Sequence, residues 1–90
     1  MNESKLSQTE VGQLVKTFYL NPEPYVQGVL RFVGIMAADK MLENRRIGAL
    51  GKVIGLIQTA TQYNVYFVEQ EDQQKAVYFT GELGVVIPQP

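Results

Sequence analysis

Asn64-Val65-Tyr66-Phe67-Val68-Glu69, followed after Gln70-Glu71-Asp72-Gln73-Gln74 by Lys75-Ala76-Val77-Tyr78-Phe79, decides the reading of this chain. The repeated Val-Tyr-Phe flanks a polar, acidic gap, the pattern of an antiparallel hairpin. Setting Glu69 opposite Lys75 places Phe67 opposite Val77 and Val65 opposite Phe79. Val65, Phe67, Val77 and Phe79 then share one face, and Tyr66, Val68 and Tyr78 share the other. A slip by one residue would exchange the faces, so the apolar pattern itself specifies the register. Both faces are apolar enough to need a cover, from helices or from a partner.

Upstream, the period changes. Ser7-Gln8-Thr9-Glu10 fits a capping box, and Val11, Leu14, Val15, Phe18 and Tyr19 follow at spacings of three and four. This predicts a first helix over 8–19, ended by Asn21-Pro22. Val26, Val29, Leu30, Val33, Met36, Ala37 and Met41 predict a second helix over 23–45, kinked by Gly28 or Gly34 and capped by Gly48. Residues 49–61 fit either a short helix or a buried strand. The β-branched residues of Lys52-Val53-Ile54-Gly55-Leu56-Ile57 favour the strand. Gly81-Glu82-Leu83-Gly84 reads as a turn before a final strand, Val85-Val86-Ile87.

These elements predict an α+β fold: two N-terminal helices packed on an antiparallel sheet of three or four strands. The predicted core joins Val11, Leu14, Phe18, Leu30, Val33 and Met36 to Val65, Phe67, Val77 and Phe79. Ninety residues predict a single domain over 1–90, with flexible ends at 1–6 and 88–90. From Gly51-Lys52-Val53 through the Val65 and Val77 strands to Glu82-Leu83, the cadence resembles that of small SH3-like barrels. That resemblance implies an alternative fold, a small β-barrel with a helical insertion. Gly28-Val29-Leu30-Arg31-Phe32-Val33-Gly34 resembles the opening of a CAP-Gly domain. The glycine-lysine-asparagine-aspartate-glycine motif of that family is missing, and a helical stripe runs through the same residues.

Composition narrows the chemistry. The chain has no cysteine and no histidine, and its net charge is -1. Disulfides, thiolate metal sites and cysteine nucleophiles are excluded, and the commonest acid/base and metal ligand at neutral pH is absent. A cytoplasmic setting fits, and Met1-Asn2-Glu3-Ser4-Lys5 lacks the order of a signal peptide. No apolar run reaches the roughly 20 residues of a membrane span.

Each chemical motif has a plainer explanation. Gly48-Ala49-Leu50-Gly51-Lys52 lacks the first glycine of a phosphate loop, where Arg46 stands, and the hydroxyl residue after the lysine, where Val53 stands. Arg45, Arg46 and Lys52, with Lys40, are candidate anion contacts, though cations also suit the end of a helix. Glu69, Glu71 and Asp72 gather at the hairpin tip without the glycine of a calcium loop. Asp39 and Glu43 are one helical turn apart on an exposed face.

The sequence therefore leads to a non-enzymatic protein-interaction module: an adaptor, accessory subunit or regulator without a cofactor. Its expected interface is Tyr66, Val68, Tyr78 and Met36, and its expected state is a homodimer through the second helix or the outer sheet face. Two alternatives stand beside it. One is a nucleic-acid-binding regulator using the Arg45–Lys52 region. The other is a small ligand-binding domain or enzyme using Glu and Tyr groups.

Overall fold

The computed structural model describes residues 11–59 and 64–87. The capping box at Ser7–Glu10 and the two expected flexible ends lie outside them. The fold is α+β. In chain order it comprises β1 (Leu14–Thr17), α1 (Glu23–Val33), α2 (Asp39–Glu43), β2 (Leu50–Gln58), β3 (Asn64–Gln70), β4 (Lys75–Phe79) and β5 (Leu83–Val85). All strand pairs are antiparallel, and the order across the sheet is β4-β3-β2-β1-β5. The five strands exceed the three or four expected, and both helices sit between β1 and β2.

The hairpin forms in the expected register, Val65 opposite Phe79, Phe67 opposite Val77 and Glu69 opposite Lys75. Its turn closes with Gln73 at a φ of 69°.

β4 and β5 lie at opposite edges of the sheet, yet only Thr80, Gly81 and Glu82 join them. A flat sheet would separate those edges by four strand spacings, about 19 Å. Four residue steps from Phe79 to Leu83 reach at most about 14 Å. The sheet therefore curls. Val15, Val53, Tyr66, Val68, Ala76, Tyr78 and Leu83 fill the inside of the curl, one or more from each strand. A bulge at Ile54 tightens β2: Val53 pairs with Val68 and Gly55 with Phe67, leaving Ile54 as the extra residue. The shift turns Leu56 towards the interior cluster.

The helices cover the outside of the hairpin. Val26 and Leu30 of α1 pack on Val65, Val77 and Phe79, with Met41 and Leu42 of α2 at the border. The expected long helix is two. Gly34, at a φ of 79°, ends α1, and the N–H of Ile35 reaches back to the Leu30 carbonyl at 2.9 Å. This is the left-handed cap that glycine permits. Gly48, expected as the cap, instead takes a φ of 84° in the turn into β2 and donates to the Thr17 carbonyl.

The first helix is corrected to a strand from Leu14 to Thr17. Val15 and Thr17 are buried and Lys16 is exposed, a period of two. Gly12, at a φ of 98°, donates to the Val53 carbonyl, and the Val53 N–H donates to the Gln13 carbonyl. Pairing on both sides, with β2 and β5, outweighs the local helical spacing. Val11 and Phe18 are consequently exposed and leave the predicted core, and so does Met36, which lies past the Gly34 cap that ends α1. The ambiguous segment forms the strand the β-branched residues favour, over Leu50–Gln58.

Candidate functional site

The chemistry of this structure is concentrated at the β4 edge. In β4, Lys75, Val77 and Phe79 turn their backbone groups away from β3, because the ladder uses the residues between them. Such an edge is a template for another strand. Here side chains occupy it. Asn44 Nδ2 donates to the Lys75 carbonyl at 2.9 Å, and Arg45 donates to the Val77 carbonyl at 2.8 Å. Glu82 Oε1 accepts the Phe79 N–H at 2.9 Å, and the Phe79 carbonyl accepts the Glu82 N–H at 3.0 Å.

Glu82 is wholly buried, and the Arg45 side chain is nearly so. The guanidinium meets the carboxylate through two bonds, of 2.8 Å and 2.6 Å. Asn21 adds its backbone N–H and its side-chain amide to Oε2, each at 2.9 Å. With the Phe79 N–H, the carboxylate accepts five hydrogen bonds. That many donors are what allow a charge to be buried. The guanidinium carbon also lies 5.4 Å from the Tyr78 ring centre and 5.8 Å from that of Phe79.

A second network continues it. The Tyr78 hydroxyl donates to Gln70 Oε1 at 2.6 Å and accepts the Arg46 N–H at 3.1 Å. Arg46 extends outward to Asp72 at 2.8 Å. The Asp72 pKa is held below the usual carboxylate value, first by the Gln74 N–H and then by Arg46.

The expected anion contacts are thus dispersed. Arg45 is engaged with Glu82, Arg46 with Asp72, and Lys52 stands exposed on β2 opposite Glu69. The glycine-lysine segment is strand and not phosphate loop. Gly51 lies close against β3, and a Cβ there would lie 2.6 Å from the Glu69 carbonyl oxygen and from Val68. The acidic hairpin tip does not gather into a metal site; among the described residues no group of three such side chains does.

The expected interface is also redistributed. Tyr66, Val68 and Tyr78 lie inside the curl and are removed from any surface. β1, β2 and β5 supply the cover that was expected from helices or a partner. Met36 is 98 % exposed. Sequence reasoning missed Glu82 and Asn21, whose side chains meet across 61 residues with no local signal.

The opposite edge is uncovered among the described residues. Backbone bonds from Phe18 to Glu82 and from Val86 to Leu14 show that the even-numbered residues of this segment face β1. Leu83 and Val85 therefore turn their N–H and C=O groups outward. Among the described residues these groups have no partner. Phe18, 62 % exposed, lies over Gly84, and Ile87, two residues past the end of β5, is 73 % exposed. Hollows of about 310 Å³ beside Leu20, Glu23 and Arg45, and of about 340 Å³ over Leu50, Lys52 and Glu69, are open surface grooves.

No family model, curated protein or solved structure matches this chain. No helix among the described residues is long and apolar enough to cross a membrane.

Proposed function

We propose that the chain is a non-catalytic protein-interaction module, an SH3-like curled sheet with a helical insertion that presents the β5 edge to an extended segment of another protein. The asymmetry of the sheet carries this reading. On one edge Asn44, Arg45 and Glu82 hold the Lys75 and Val77 carbonyls and both backbone groups of Phe79, while on the other, among the described residues, the Leu83 and Val85 backbone groups have no partner, beside Phe18 and Ile87. Strand addition uses such a row for affinity and the adjoining apolar side chains for selectivity. The strand order and the short β4–β5 link support the barrel-like reading.

Hydrogen exchange on captured complexes tests it. A partner recovered by the wild-type chain should slow exchange at the Leu83 and Val85 amides and be lost from Val85→Pro, which removes one outward donor. A partner retained equally by Val85→Pro, with no protection on β5, would refute this reading.

A further inference from the structure

The network around Arg45 uses only part of its side chain. A guanidinium offers five N–H donors. Nη1 gives both of its own, to the Val77 carbonyl and to Glu82 Oε1, each at 2.8 Å. Nη2 gives one, to Glu82 Oε2 at 2.6 Å. The Nε–H and the second Nη2–H have no partner among the described residues, although the side chain is only 7 % exposed. Donors placed so deeply are ordinarily bonded. These two run parallel, and together they form the edge of a guanidinium that grips a carboxylate by two prongs. Its direction follows from its neighbours. The Val77 carbonyl stands on the Nη1 side. Asn21 shares Oε2 with Nη2, bonding it at 2.9 Å through its backbone N–H and its side-chain amide, and so stands on the other side. Asn21 and Arg45 both line the groove of about 310 Å³. The open edge therefore faces that groove.

We infer that this groove binds a small apolar α-amino acid, with its carboxylate on the open edge of Arg45 and its ammonium on Glu23. The volume lies at the small end of the range for ligand sites. Leu20, Val26 and Leu42 line the groove beside the polar groups and take the apolar side chain. Charge selects the zwitterion. Glu82 already balances Arg45, and Glu23 and Glu43 add negative charge to the lining, so a simple anion is repelled. A simple cation leaves the guanidinium edge unpaired. A carboxylate that carries its own ammonium satisfies both. Glu43 already meets Lys40 at 3.9 Å. Glu23 accepts from Gln27 through Oε2 at 3.0 Å, which leaves Oε1 open among the described residues, so Glu23 is the ammonium's partner. The site joins the segment after β1, the start of α1 and the segment after α2, which only the folded chain brings together. It does not depend on the β5 reading, whose strand it leaves uncovered.

Heteronuclear NMR of the full isotope-labelled chain, titrated with L-leucine, tests it. The Arg45 Nε–H signal and the amides of Asn21, Glu23 and Leu42 should shift together and saturate, with a Kd of about 1 mM or tighter. Isocaproate keeps the carboxylate and the side chain of leucine without its amine, and isoamylamine keeps the amine without the carboxylate. Each should bind about tenfold more weakly or worse. Glu23→Gln alters an exposed side chain and should keep the circular-dichroism spectrum. It should weaken leucine by about tenfold without weakening isocaproate. No saturable shift at the Arg45 Nε–H, isocaproate bound as tightly as leucine, or leucine affinity unchanged in Glu23→Gln would each overturn the inference. None of these results bears on exchange at Leu83 and Val85, so the β5 reading is judged by its own experiment.

Discussion

Removing the Arg45 guanidinium tests the central network most directly. In Arg45→Met the Glu82 carboxylate stays fully buried and loses two of its five hydrogen bonds, while the Val77 carbonyl loses its side-chain donor. Stripping one partner from a buried ion pair costs about 3–5 kcal/mol, because the remaining charge is left uncompensated. Domains of this size are stable by about 5–15 kcal/mol in total, so the loss is a large fraction. At about 4–8 °C per kcal/mol, the melting temperature should fall by roughly 12–40 °C. Urea titration followed by far-ultraviolet circular dichroism measures the free energy. A double-mutant cycle with Glu82→Leu then isolates the pair. The double variant should be less destabilised than the sum of the singles by about 1–3 kcal/mol. It should not return to wild type, because the Asn21 and Phe79 N–H groups lose their acceptor. A cost below about 1 kcal/mol with additive singles would refute the reasoning, since that is how an exposed pair behaves.

Other consequences are open to direct measurement. Gly51→Ala should cost about 1–3 kcal/mol in urea unfolding, because its methyl group would press on the Glu69 carbonyl and Val68 where two strands cannot separate; a neutral result would show that β2 shifts freely. Tyr78→Phe leaves the buried Gln70 amide and the Arg46 N–H without the hydroxyl and should cost about 1–3 kcal/mol in the same assay. The Asp72 pKa is lowered in the fold, so its favourable contribution is present above the ordinary carboxylate value and disappears as pH falls through the folded one. The stability gap between wild type and Asp72→Asn should therefore narrow below about pH 4, and a gap constant through that range would remove the pairing with Gln74 and Arg46.

The hairpin was legible because its information is local. Alternating apolar residues on both sides of a polar gap admit one register, and the structure adopts it from Val65–Phe79 to Glu69–Lys75. The face of α1 on the hairpin was equally legible from Val26 and Leu30 at helical spacing, and the β-branched run at 52–57 was enough to favour a strand. Residues 14–17 were not legible, because Leu14, Val15 and Phe18 satisfy a helical period while Val15 and Thr17 satisfy a strand period. Only neighbours distant in sequence, Gly51 on one side and Val85 on the other, decide between them. The curl depends on all five strands at once, and it turned Tyr66, Val68 and Tyr78 from an expected interface into an interior. Arg45 looked like a free cation until the fold carried Glu82 to it across 37 residues. Local periodicity fixes which side chains share a face. What each face meets is set by long-range pairing, whose free energy belongs to no single segment.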